Sequence, residues 1–288
     1  MLRERTGTMN KGIKFSGHTM GTPGKDIYEV IKFFKELGYD GIEVRVAKDG
    51  QIDSETITDE EAKKIYEAAK AEGMEFSCLT SYYKDFTPPA RDDVIKNLKR
   101  VIDIAAILDC KLIRVYGGDE PFTRTDIWFN DFWSYTVSGI REVAQYAAPL
   151  GVSVVIETHV SSLTMSARDT MHLIDDINMN NVGMLFDYAW VELAGAETGA
   201  DAVRRAAKYI KHIHIKDWKL ESKTPLKKQP CLMGEGTVNW AEVIPALKEI
   251  GYTGYVSDEY EKIWYPKELP EPEIGMKHNL EFCKKHLG

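Results

Sequence analysis

Acidic and imidazole side chains stand where several short apolar runs end. Glu157 closes VVIE, Asp187 closes GMLFD, His212 and His214 lie within IKHIHIKD, and Asp258, Glu259 and Glu261 follow YVS. By the period of two along an extended strand, His212 and His214 share a face, whereas Asp258 and Glu259 point to opposite faces. Taken singly, each residue has an ordinary explanation. A lone Glu after a strand commonly caps a helix or sits in a solvated loop, and a histidine in an apolar strand is commonly satisfied within the core. On successive strand ends they mean more. Three carboxylates and an imidazole converging on one point repel each other unless a cation lies among them. A divalent metal ion resolves that repulsion, and an oxygen-rich donor set with one nitrogen suits Mn, Mg, Co or Zn with positions left open for substrate.

Such a set needs strands that end together. Apolar runs at 13–17, 41–46, 75–80, 111–117, 152–158, 182–188, 210–217 and 253–260 alternate with stretches of helical period. In one of these stretches Ile27, Val30, Ile31, Phe34 and Leu37 recur along one face. Runs apolar on both faces suit a covered parallel sheet. Gly38, Gly73, Gly151 and Gly251 stand between a helix and the next strand, the place of a left-handed helix cap. Eight such units predict an α/β fold, a (β/α)8 TIM barrel. A doubly wound open sheet ordinarily carries a glycine-rich phosphate loop after its first strand, and FSGHTMGTPG has no G-x-G-x-x-G. The expected organisation is one TIM-barrel domain over 11–288, with 1–10 a flexible N-terminal extension. In a barrel, catalytic groups belong at the C-terminal ends of the strands.

Composition excludes several classes. The 288 residues carry 37 basic and 45 acidic side chains, a net charge of −8, which disfavours nucleic acid as a partner. No run approaches the ~20 apolar residues of a membrane helix, so no membrane association is expected. Cys78, Cys110, Cys231 and Cys283 form no C-x-x-C pair and are expected as reduced thiols. The charged first residues precede no apolar stretch of signal-peptide type, and a cytoplasmic location is expected.

With LGYDGIEV (37–44), VVIETH (154–159), LFDYAW (185–190), HIHIKD (212–217), GEGTVNW (234–240) and GYTGYVSDEYE (251–261), the chain resembles the xylose isomerase-like TIM barrels. These are sugar phosphate isomerases and epimerases, and the resemblance runs from about Lys11 to the C-terminus. It implies one divalent metal ion held by Glu157, Asp187, His214 and Glu259. It also implies a small carbohydrate substrate and a sugar isomerase or epimerase activity. Glu157 and Glu259 would be the two carboxylates that remove and return a proton next to a carbonyl. The same residues would serve an inosose-type dehydratase, and a noncatalytic sugar-binding barrel is a further alternative.

Around that set, Lys216 is expected to donate to substrate oxygens, its plainer role being a salt bridge with Asp217. The resemblance puts Glu43 at the barrel mouth, and His18, Tyr116, His159 and Trp190 are expected to line the pocket with it. Arg114 shares a strand face with Tyr116. Trp190 stands where many sugar epimerases of this fold carry a histidine, which weakens a free ketohexose epimerase reading. Tyr82, Tyr83, Trp128, Trp190, Trp218 and Trp264 suit the apolar C–H faces of a sugar, or a subunit interface in a homo-oligomer. The segment 221–236 reads as a long loop, a lid or binding loop. Its Lys223, Lys227 and Lys228 favour a substrate bearing phosphate or carboxylate.

Overall fold

Eight parallel strands pair side by side until the last meets the first. They are β1 (Lys14–His18), β2 (Gly41–Val46), β3 (Glu75–Ser81), β4 (Leu112–Tyr116), β5 (Ser153–Glu157), β6 (Val182–Asp187), β7 (Ile210–Ile215) and, after an antiparallel hairpin of β8 (Asp217–Lys223) and β9 (Leu226–Cys231), β10 (Tyr255–Asp258). Around the barrel the order is β1-β10-β7-β6-β5-β4-β3-β2. The expected (β/α)8 barrel is therefore present, with strand positions close to those predicted. This computed structural model describes residues 12–119 and 125–288, so the N-terminal extension expected at 1–10 lies outside the described residues.

Helices cover the outside: α1 (Ile27–Leu37), α2 (Asp59–Ala71), α3 (Arg91–Ile107), α4 (Phe129–Ala147), α5 (Ala167–Ile177), α6 (Tyr188–Ala194), α7 (Gly199–Ala206), α8 (Trp240–Glu249) and α9 (Pro272–Leu287). The local chemistry that starts and stops a helix is plainest in α1. There the Asp26 carboxylate accepts from the Glu29 backbone N–H and the Glu29 side chain accepts from the Asp26 N–H, closing a capping box. Ile27, Val30, Ile31 and Phe34 are buried on one stripe, and Gly38 (φ 92°) turns the chain toward β2.

The segment expected as a loop over 221–236 is instead mostly ordered as the β8–β9 hairpin. Its strands are largely polar and exposed on both faces, so no apolar alternation marks them. Asp217 anchors the hairpin base. Its Oδ1 accepts from the N–H groups of Trp218 (2.9 Å) and Val238 (3.2 Å), and its Oδ2 from those of Gly234 (3.0 Å) and Gly236 (3.1 Å).

Inside the barrel, side chains change character with height. Cys78, Val155 and Leu185 form a small apolar cluster in the interior, with Leu112 packed against it. Two residues further along the same strands come Thr80, Glu157, Asp187 and Arg114, all buried. The strand period thus turns one alternation of residues into an apolar floor and a polar upper layer.

Candidate metal centre

Two of those upper-layer groups converge with two residues from β7 and the end of β10. Glu157 and Asp187 end β5 and β6, His214 lies one residue before the end of β7, and Glu259 follows β10. All four are buried, and each offers a ligand atom within 4.8 Å of the others. The Thr158 hydroxyl fixes the height of Asp187 by donating to its carbonyl (3.1 Å) and accepting from its N–H (2.8 Å). Glu259 is set by its N–H, which donates to the Ile215 carbonyl at 3.0 Å. Asp258 points the other way, as its strand position requires. It accepts from Tyr39 (2.8 Å) and from Asn279 (2.9 Å) of α9 on the outside of the barrel.

The charges in the centre are interleaved. Arg114 Nη1 donates to Glu157 Oε2 at 2.8 Å. The Lys216 ammonium lies 2.7 Å from Asp187 Oδ2 and is also bonded to Glu259. The salt bridge to Asp217 considered from sequence does not form, because Asp217 is occupied at the hairpin base. Burial opposes ionisation of Glu157 and Glu259. Arg114 with His214 outweighs it at Glu157, and Lys216 with His214 outweighs it at Glu259, so both carboxyls are held below the usual range. At Asp187 burial prevails over Lys216 and raises the carboxyl. Burial also works against a charged His214, yet Glu43 and Glu259 raise the imidazole well above its usual value.

This donor set fits a divalent cation. His214 Nδ1 is buried and without a hydrogen bond, and it faces Glu157 Oε1 at 3.5 Å and Glu259 Oε2 at 3.4 Å. Three carboxylates and one imidazole nitrogen would hold the ion, which would release the imidazolium proton and compete with the Lys216 ammonium for Asp187 and Glu259.

Two side chains expected at the substrate lie deeper. Glu43 does not border the open cavity. Its Oε1 accepts from His214 Nε2 (2.8 Å) and its Oε2 from His212 Nε2 (2.9 Å), with all three residues buried. Glu43 thereby fixes the ring and leaves Nδ1 facing Glu157 and Glu259, as a carboxylate behind a ligating histidine would. His18 is likewise enclosed. Its Nδ1 accepts from the Met20 N–H (3.1 Å), so Nε2 carries the hydrogen and donates to Thr80 Oγ1 (2.9 Å). Burial lowers its pKa to about 4, leaving a neutral ring against His214.

Above the centre a cavity of about 220 Å³ opens, bordered by Glu157, Glu259 and Lys216 and by the expected Tyr116, His159 and Trp190. His159 packs edgewise on Tyr116 and lies 4.6 Å from Trp190 between ring centroids. Of the aromatic residues expected near the mouth, Tyr82 and Trp264 also border it. Trp218 is buried against Trp190, Tyr83 bonds to Ser54, and Trp128 is 83% exposed elsewhere. Sequence reasoning missed Tyr265 and Glu261 as walls and left Lys228 as one basic residue of a loop; all three border the cavity.

A family model described as xylose isomerase-like TIM barrel matches residues 31–286. The chain belongs to this family. Among its xylose isomerase-like relatives is a D-psicose 3-epimerase of Ruminiclostridium cellulolyticum, 28% identical over 127 residues, or 43% of this chain and 40% of that protein. An inosose dehydratase of Geobacillus thermodenitrificans is 20% identical over 153 residues, 49% of this chain and 51% of the relative. The chain thus spans about half or less of the length of these curated relatives. Among solved structures, that of a D-psicose 3-epimerase determined in the presence of D-fructose shares the fold, with a TM-score of 0.78 and 20% identity over 96% of this chain and 100% of the other.

Proposed function

We propose that the protein is a divalent-metal-dependent sugar or polyol isomerase or epimerase, in which Glu157 and Glu259 exchange a proton with the substrate carbon. The observation that carries this reading is the buried quartet of Glu157, Asp187, His214 and Glu259 at the open end of the barrel. A bound divalent ion would polarise the substrate's carbonyl and hydroxyl oxygens and so acidify the neighbouring C–H. Glu157, kept ionised by Arg114, and Glu259, kept ionised by Lys216 and His214, both border the cavity as bases ready to accept that proton. One carboxylate takes the proton and the other returns one from the opposite side, which inverts the carbon or moves the carbonyl. Tyr116, His159 and Trp190 wall the cavity and limit the water that reaches the carbanion-like intermediate.

The inosose dehydratase relative supports a second outcome on the same residues. There one carboxylate removes the carbon-bound proton, and the other, protonated, gives its proton to a departing hydroxyl as water. NMR of sugar and polyol substrates in deuterated water, with Mn²⁺ present, separates the two. Deuterium entering the substrate carbon without loss of water marks the epimerase or isomerase; loss of water and a new unsaturated carbon mark the dehydratase. Glu259→Gln is expected to abolish either reaction with the circular dichroism spectrum unchanged. Full turnover in that variant would remove Glu259 from proton transfer.

A further inference from the structure

Lys216 and Lys228 straddle Glu261 at the rim of the cavity. Lys216 Nζ lies 3.7 Å from Oε1 and Lys228 Nζ lies 3.5 Å from Oε2, and the two lysine side chains are only 5% and 9% exposed. The other anionic neighbours of Lys216 are Asp187 and Glu259, two of the three carboxylates that a metal ion would claim. Lys228 reaches in from β9. It donates to the Tyr265 hydroxyl (3.1 Å) and lies over Trp218 (4.5 Å), Tyr265 (5.0 Å) and Trp190 (5.3 Å). On the β4 wall, Arg114 gives one Nη to Glu157 and keeps a buried Nε without a hydrogen bond.

With Asp187 and Glu259 committed to a metal ion, two nearly buried ammonium groups share one carboxylate. We propose that the substrate is a monoanionic sugar acid whose carboxylate is received between Lys216 and Lys228. This rests on the metal-centre reading above. Around a divalent ion, the three ligating carboxylates and Glu261 meet Arg114, Lys216 and Lys228, and the one net positive charge that remains selects among ligands. A neutral sugar leaves a desolvated ammonium half-paired, which is costly. A phosphate monoester, with about −1.5 to −2 charges near neutral pH, exceeds the single charge to be met. A carboxylate matches it. The cavity, about 220 Å³, is smaller than the ~300–1,000 Å³ of pockets for drug-sized ligands and suits one sugar unit. Trp190 and Tyr116 are positioned on its walls to pack on the sugar's C–H faces.

Isothermal titration calorimetry on the full chain tests this in two separate stages. Mn²⁺ is titrated first. The Mn²⁺-loaded protein is then titrated with glucuronate, galacturonate and mannuronate, with the matching neutral hexoses, and with their 6-phosphates. At least one uronate is expected to bind about tenfold or more tightly than both of its partners, the effect of one charge-assisted hydrogen bond. Lys228→Met and Lys228→Gln are expected to erase that preference, and Lys228→Arg to retain part of it, all with Mn²⁺ affinity unchanged and native circular dichroism spectra. The inference is overturned if no uronate leads its set, including the case in which nothing binds, or if the preference survives in both neutral variants. Failure to bind Mn²⁺ would overturn the metal centre and this inference with it. Mn²⁺ binding without a uronate preference would overturn this inference alone.

Discussion

At the scale of single residues, Glu43 has the most consequence for its distance from any substrate. It receives hydrogen bonds from two histidines that lie 169 and 171 positions away in the chain, and so holds His214 with Nδ1 toward the carboxylates. In Glu43→Gln the amide presents one acceptor and one donor to two N–H groups that both need acceptors. Mn²⁺ affinity measured by calorimetry is expected to fall about 10- to 100-fold, the usual cost of losing such a supporting carboxylate. An unchanged affinity would mean that the ring is held by packing alone. The four converging residues were legible in the sequence because each stands at or beside the end of an apolar run and matches a family motif. The support given by Glu43 was not, because nothing local to GIEVR records which histidines meet it. His18 was misjudged for a related reason: its strand position is right, but its two hydrogen bonds close it off from the cavity.

At the scale of elements, the hairpin is delivered by one carboxylate. Asp217 takes four backbone N–H groups, and a Cβ on Gly236 would stand 1.9 Å from its Oδ1 and 2.6 Å from the Trp218 carbonyl. Gly236→Ala must therefore push the chain off Asp217, and Asp217→Asn turns two of the four acceptances into donor–donor clashes. Either change is expected to cost roughly 2–4 kcal/mol, from hydrogen bonds to a charged, partly buried group. Thermal unfolding would register this as a fall of several degrees. Limited proteolysis would show new cleavage within 217–236, whereas an unaltered digestion pattern would argue against Asp217 as the anchor. The barrel strands were readable from their apolar runs and glycine stops. The hairpin was not, since DWKLESK and LKKQPC bury little and carry no apolar alternation.

At the scale of the whole molecule, the net charge of −8 includes a buried acidic centre whose repulsion is partly quenched by Lys216. A bound ion would compete with the ammonium for the same carboxylates, which would make global stability an assay of the site. Mn²⁺ at 100 times its dissociation constant is expected to stabilise the fold by about 2.7 kcal/mol through mass action. In Lys216→Met the chelated protein loses the only ammonium bonded to Asp187 and Glu259 among the described residues, as in breaking a buried ion pair, at about 3–5 kcal/mol. The Mn²⁺-loaded variant keeps a cation there. Scanning fluorimetry should therefore show a wider gap between loaded and chelated melting temperatures in the variant than in the native chain. An equal gap would place the ion elsewhere. The fold itself was the most legible property, because eight repetitions of one strand–helix pattern leave few other architectures.

The tilted packing of Trp190 on Trp218, with the Lys216 and Lys228 ammonium groups over both rings, has an optical consequence. Indole emission responds to nearby charge and to the polarity of its surroundings. Metal arrival that draws on the partners of Lys216, and ligand arrival that draws on those of Lys228, both alter the field at this pair. The barrel thus carries an unlabelled fluorophore at the rim of its own cavity, and each titration described above has an intrinsic emission signal to follow it.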